Sequence, residues 1–296
     1  MQGNQVADAA PRNWQDWHFH VNLPKHPLKR WLKARMGQGL CGLLPERIIE
    51  LHRGERPLPY TLLDRLIVTA LMDRLLSKGR GDVIAGMHQK IWRSPDALRY
   101  YSRLENWFKD VFLKQQIEFV SEVQKVAKAG RFQSLCDIGC GMGWLTNYLA
   151  DHLIGIERFI GLDLNEHQIA RNRNLYSNPK LSFVATEAVA WINQQARPGW
   201  FFFTYESLIY VPQLELEQLL SKIAKTLAPA AFAIMEVIDK NHDLAKEEPS
   251  RPFDSALHLS HNYPELFKRA GYTIQYQAER TEPADARWIW LIATAG

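Results

Sequence analysis

The run Leu135-Cys136-Asp137-Ile138-Gly139-Cys140-Gly141-Met142-Gly143-Trp144-Leu145-Thr146 constrains this chain more than any other. It reads as a buried strand that enters a glycine turn and then opens a helix. A turn without side chains lets backbone approach a ligand closely, and the helix behind it presents N–H donors at its N-terminus. Twenty residues after Gly143 comes Gly161-Leu162-Asp163-Leu164, a second strand ending in an acid. An acid at that place can accept both hydroxyls of a ribose. The two segments together mark a site for a nucleotide-type cofactor.

From residue 133 onward strand and helix patterns alternate, which predicts an α/β fold: a doubly wound, seven-stranded, mostly parallel Rossmann-like sheet with helices on both faces. The strands are expected at 133–138, 158–163, 181–185, 200–205, 230–237, 272–279 and 286–294, the helices at 143–152, 165–176, 187–195, 213–227 and 263–270. Before that the chain reads as mostly helical. A polar, irregular arm covers 1–26, a basic helix begins at Pro27, and a second helix covers Leu44–Leu51. A third runs from Thr61 to Leu76, with Leu62, Leu63, Leu66, Ile67, Ala70, Leu71 and Leu75 at helical spacing. Ser94-Pro95-Asp96 is a start signal for a further helix carrying Leu98, Tyr101, Leu104, Phe108 and Val111, which continues with a break to Ala129-Gly130. The division expected is a helical, substrate-capping region over 1–114 acting as a lid, then a catalytic domain over 115–296.

The dinucleotide pattern G-x-G-x-x-G does not fit, because Trp144 stands where its third glycine belongs. The run instead resembles motif I of class I S-adenosylmethionine-dependent methyltransferases, D-x-G-x-G-x-G, at Asp137, Gly139, Gly141 and Gly143. The resemblance extends over roughly residues 115–296. Asp163 falls on the family's ribose-binding acid. Phe183-Val184-Ala185-Thr186-Glu187-Ala188 falls on the segment whose acid meets the adenine amine, with Glu187 in place of the commoner Gly-Asp-Ala aspartate. Phe201 to Val211 is similar to the fourth strand and the loop that faces the methyl group. Thr226-Leu227-Ala228-Pro229-Ala230-Ala231 resembles the Leu-x-Pro-Gly-Gly turn, with alanines for its glycines. Leu266 to Tyr272 resembles the late helix-to-strand corner. The resemblance implies S-adenosyl-L-methionine as cofactor, with Cys140, Leu164, Gln168, Ala188 and Tyr205 joining the acids and glycines around it. It also implies that an upstream tyrosine, Tyr100 or Tyr101, covers the cofactor; ordinary helix packing is the other reading of that pair. A Rossmann-like domain using another nucleotide, or none, is the alternative to the whole assignment.

Methyl transfer is an in-line displacement that needs alignment and exclusion of water, with a general base when the nucleophile is a hydroxyl. Open α/β sheets bind ligands at the carboxyl ends of their strands. The candidates there are Glu206, His258 and His261 for catalysis, and Tyr210 and His242 for substrate binding. Each has an ordinary reading too: Glu206 as an exposed loop carboxylate, His258 and His261 as surface residues capping the next helix. Asp239, Asp243 and Asp254 are too scattered for a metal site. Cys136 and Cys140 read as small core and turn residues.

No apolar run approaches the length of a membrane span, and the first residues have no apolar core of the signal-peptide kind. With three cysteines in 296 residues the default location is the cytoplasm. Charge is uneven: residues 1–130 hold 21 Lys+Arg and 13 Asp+Glu, a net +8, and the remainder a net −4. The expected acceptor is a small molecule with an oxygen or nitrogen nucleophile. The alternatives are RNA or protein held by the basic N-terminal part, and a non-catalytic, methyltransferase-like partner subunit. The loop after the fourth strand lacks Asn/Asp-Pro-Pro-Tyr/Phe, and no Pro-Cys pair offers a thiolate nucleophile, so nucleic acid is not favoured. Nothing in the sequence sets the oligomeric state.

Overall fold

The computed structural model describes residues 27–44, 46, 50, 61–78, 80–95, 97–101, 108–130, 132–246, 249–252, 258–281 and 287–296. Seven strands form one sheet: β1 (Ser134–Ile138), β2 (Arg158–Asp163), β3 (Leu181–Ala185), β4 (Trp200–Tyr205), β5 (Ala230–Ile238), β6 (Thr273–Thr281) and β7 (Arg287–Ala295). Their order is β3-β2-β1-β4-β5-β7-β6. The first five are parallel, and β7 runs antiparallel to both β5 and β6. Every expected strand is present within two residues of its expected ends. The chain winds outward from β1 in both directions, so the carboxyl ends of β1 and β4 form a switch point with no crossover above it.

The central strands are buried on both faces, which is why they are continuously apolar. Alternate side chains point to opposite layers. Leu135, Phe201, Phe203, Ala233 and Trp290 pack with α5 (Glu118–Gly130) and α6 (Trp144–His152). Cys136, Ile160, Phe202, Phe232 and Leu291 pack with α8 (Ala188–Gln195), α9 (Gln213–Thr226) and α10 (Tyr263–Arg269). α7 (Glu166–Leu175) buries Ile169 against Phe183. Each fully buried Phe contributes about 1.5–3 kcal/mol of transfer free energy. Neither Cys136 nor Cys140 is bonded to another cysteine, and both are buried.

The N-terminal part holds α1 (Pro27–Leu43), α2 (Leu62–Ser77), α3 (Gly81–Arg93), α4 (Ala97–Tyr101), a π-helical segment (Phe108–Gln116) and α5. α1 lies along α2. α3 departs from the sequence expectation, which left 77–93 unassigned. It starts without a side-chain cap and buries Ile84, Ala85, Met87, His88 and Ile91. The helix expected behind Ser94 is instead α4, the π-helical segment and α5 in succession. The irregular arm 1–26, Leu104 and nearly all of the helix expected over 44–51 lie outside the described residues. Among the described residues no helix is long and apolar enough to cross a membrane.

Candidate active site

A cavity of about 260 Å³ opens above the carboxyl ends of β1, β2 and β4. Its floor is the turn after β1. Gly139, Gly141 and Gly143 have φ of 75°, 48° and 72°, a region that side chains strain to enter. A Cβ on Gly139 would overlap the Ser207 hydroxyl, and one on Gly141 would press on the Tyr101 ring. Hydrogen bonds hold the turn rigid. The Gly139 and Cys140 N–H groups both donate to Leu162 O at 2.8 Å. Asn172 Nδ2 donates to Gly141 O at 2.7 Å, and Tyr176 Oη to Met142 O at 2.9 Å. α6 begins immediately beyond with no side-chain cap, and its Trp144 and Leu145 reach the cavity.

Asp163 ends β2 at the cavity wall. Its carboxylate accepts from Gly141 N at 3.0 Å and Asn165 N at 2.9 Å, and from the Tyr101 hydroxyl at 3.3 Å to each oxygen. Burial raises its pKa, and those donors oppose the rise. Burial also pushes the Tyr101 hydroxyl well above its ordinary range, with the Asp163 charge adding to it. Asp137, one strand over, accepts from Thr146 Oγ1 at 2.6 Å. Burial pushes it up to about 7 against that bond. Its carboxyl therefore ties β1 to α6 from within, although the residue borders the cavity.

The facing wall comes from the end of β4. Glu206 has φ 48° and is, among the described residues, the sole non-glycine with positive φ. Backbone strain of this kind gathers at working sites. The kink turns the chain out of the sheet, and Tyr205, Glu206, Ser207 and Tyr210 line the cavity. Glu236, fully buried on β5, fixes this turn. Its Oε1 accepts from Thr204 Oγ1 at 2.8 Å and from the N–H groups of Ser207 and Leu208 at 3.1 Å each. Burial pushes it up to about 7, opposed by those donors, and its Oε2 is buried without a partner.

The third wall belongs to the N-terminal helices. α3 brings Ala85, His88, Gln89 and Trp92 to the cavity, α4 brings Tyr101, and the π-helical segment brings Phe108 and Phe112. Two bonds from Asn165 Nδ2, to Trp92 O at 2.9 Å and Ser94 O at 3.0 Å, pin the end of α3 to the start of α7. Gln116 of the π-helical segment accepts from the Tyr205 hydroxyl at 3.1 Å. His88 and Trp92 were not among the expected site residues. Their signal was the 84-87-88-91 spacing, masked by two glycines and the missing cap.

The expected residues separate into two groups. Asp137, Gly139, Cys140, Gly141, Leu164, Glu187, Ala188, Tyr205, Glu206, Tyr210, Tyr101 and Asp163 all border the cavity. The Glu187 carboxylate is engaged, since it caps α8 by accepting from Val189 N and Ala190 N. Gly143 caps α6 just behind the floor. Three others stand elsewhere. Gln168 is buried and donates to Asn172 at 2.8 Å, so it braces the residue that braces the turn. His242 is fully buried against Ser260, at 2.8 Å. His261 is fully buried against Ser250, at 2.5 Å, and burial lowers its pKa to about 3. Neither histidine lines the cavity, and the His261 ring packs edge-on against Tyr263 at 5.2 Å between centroids. His258 stands outside the cavity but touches its wall, with Nε2 at 3.2 Å from the Tyr210 hydroxyl. The side chain of Tyr100 lies outside the described residues. Among the described residues no group of three or more His, Cys, Asp or Glu could hold a metal ion.

Residues 135–230 match the sequence model of a family described as a methyltransferase domain. No curated protein matches the chain. Among solved structures, magnesium protoporphyrin IX methyltransferase from Synechocystis PCC 6803 with bound S-adenosylmethionine is similar at 18% identity and TM-score 0.51, over 72% of this chain and 97% of that one. The same enzyme with bound S-adenosylhomocysteine gives 17% and 0.51, over 72% and 100%. The PH0226 protein from Pyrococcus horikoshii gives 17% and 0.46, over 67% and 99%. The family match lies on the glycine turn, Asp163 and β4, so the segment of this chain that is similar to a methyltransferase domain is the one that builds the floor and one wall of the cavity.

Proposed function

We propose that the chain transfers a methyl group from S-adenosylmethionine to a small-molecule acceptor held in this cavity. One observation carries the reading: a buried carboxylate, Asp163, stands at the cavity wall 3.0 Å from the N–H of a glycine turn that lies in the left-handed region. That cradle fits a ribose diol against the carboxylate and an amino-acid moiety against the turn. The domain match and the cofactor-bound neighbours support it. The cofactor, when bound, supplies an electrophilic methyl group on a sulfonium. The chain's own part is to orient and to exclude water. Asp163 and the turn fix one end of the cavity, Glu187 and Ala188 border the adenine side, and the wall of Glu206, Ser207 and Tyr210 faces the reacting centre. The aromatic side chains of Trp92, Tyr101, Phe108 and Phe112 cover one side of the cavity and restrict the entry of water there. A cover packed this closely suits a metabolite better than a polymer. We further propose that 1–114 forms this substrate-capping region and 115–296 the catalytic domain.

Asp163→Ala removes charge-assisted bonds worth about 1.5–3 kcal/mol each. Calorimetry should show affinity for S-adenosylhomocysteine falling at least about tenfold. An unchanged affinity refutes the assignment of Asp163.

A further inference from the structure

Tyr210 is the most elaborately held side chain on the acceptor wall. Its ring is met by His88 at 4.7 Å between centroids, by Trp92 at 5.6 Å edge-on, and by His258 at 5.1 Å edge-on. Three rings from two separate parts of the chain therefore fix its plane. Its hydroxyl meets His258 Nε2 at 3.2 Å. Tyr210 borders the cavity, whereas His258 does not. His258 is half-buried. The pair thus leads from a residue that lines the cavity to one that stands behind its wall.

Three of the five acids that line the cavity are engaged within the protein, Asp163 by backbone donors, Asp137 by Thr146 and Glu187 by the start of α8, and Glu206 and Glu215 line it as well. A carboxylate or tertiary-amine acceptor carries no proton to lose and has no use for a proton path. A hydroxyl does, because its nucleophilicity rises as the proton leaves.

On the methyl-transfer reading above, we propose that Tyr210 and His258 form a proton relay, and that the acceptor is therefore a hydroxyl compound. The acceptor oxygen forms its bond to the methyl carbon as the carbon–sulfur bond breaks, with that electron pair going to sulfur. The hydroxyl proton passes to Tyr210 Oη, and the proton of Tyr210 passes to His258 Nε2, which releases it to water. Tyr210 is the catalytic residue; His258 acts through it. The planar walls of Trp92 and Tyr210 favour a flat acceptor, a phenol above an aliphatic alcohol. The titratable groups facing Tyr210 are His88 from α3, Tyr101 from α4 and His258 from the loop after β5.

The test uses the full chain saturated with S-adenosylhomocysteine and 4-nitrophenol as probe, whose ionisation is read from its absorbance across a pH series. The wild-type protein should bind the phenol saturably and make it about tenfold more acidic than in free solution, since the proton has a base to go to. Tyr210→Phe and His258→Gln should each return the bound probe to its free value; His258→Gln keeps a hydrogen-bonding side chain but accepts no proton. Both should bind S-adenosylhomocysteine within about twofold of wild type, which shows that they are folded. A wild-type probe that ionises as in free solution, gives no saturable spectral change, or stays acidic in both variants overturns the relay. Failure of S-adenosylhomocysteine to bind the wild-type chain would instead overturn the methyltransferase reading, and the relay with it.

Discussion

The Asp163 carboxylate takes three donors from the protein itself: Gly141 N and Asn165 N each give it one hydrogen bond, and the Tyr101 hydroxyl is shared between its two oxygens at 3.3 Å. On the proposed function, a ribose diol competes with Tyr101 for these oxygens. Tyr101→Phe removes that competition, so affinity for S-adenosylhomocysteine should rise about tenfold, the worth of one bond to a charged group. The free protein should melt lower. Calorimetry decides: a weaker affinity in the variant would mean that Tyr101 holds the ligand and does not give way to it. Glu236 supplies a second residue-scale prediction. Burial pushes its folded pKa up to about 7, above the ordinary 4.5 of a glutamate. Its contribution to stability is therefore complete below about 4.5 and is lost as pH rises through about 7. Glu236→Gln has no such loss. Urea unfolding of both proteins should show the variant gaining on wild type between about pH 5 and 8, by up to about 3 kcal/mol. His261 has the opposite sign, since it stays neutral down to about 3, but it is present in both proteins and cancels. A difference independent of pH would place the Glu236 carboxyl in the ordinary range.

At the level of elements, capping side chains join structure to site. Asn165 caps α7 by accepting from Gln168 N at 3.0 Å and spends its Nδ2 donors on Trp92 O and Ser94 O. Asn165→Ser keeps a capping oxygen and removes the tie to α3. Exchange of the amides of 81–93 should quicken about tenfold or more, while β1, β4 and β5 keep their protection. Equal exchange in α3 would show that aromatic packing alone holds that helix. The strands were legible as short apolar runs bounded by turn residues, and the helices between them by their 3.6-residue spacing. α3 was not: Arg80 gives no side-chain cap, Gly81 and Gly86 dilute the helical pattern, and the buried stripe is short. The π-helical segment escaped for a related reason. An extra residue per turn shifts the apolar register, so Phe108 and Phe112 read as one face of an ordinary helix.

For the whole molecule, the cavity exists where the N-terminal helices meet the carboxyl edge of the sheet, and each side contributes wall. S-adenosylhomocysteine should therefore slow protease cleavage around 80–95 and stabilise the fold by about 2.7 kcal/mol at about 100 times its Kd. Protection confined to 135–230 would mean that α3 and α4 take no part in binding. The sequence by itself determined the sheet, the glycine turn, the acid after β2 and the resemblance to a methyltransferase domain, because each depends on neighbours within a few residues or on a repeated spacing. It named Glu206 and Tyr210 for the same reason, since both follow β4 directly. Only the tertiary structure decided where the histidines stand. His242, His258 and His261 look alike as loop residues, yet two are sealed in the core and the third meets Tyr210 across 48 positions of sequence. It also decided that Asp137 and Gln168 brace the turn and β1 through hydrogen bonds, and that His88 and Trp92 line the cavity. A side chain's neighbours across the fold are set by long-range packing, and no local pattern encodes that.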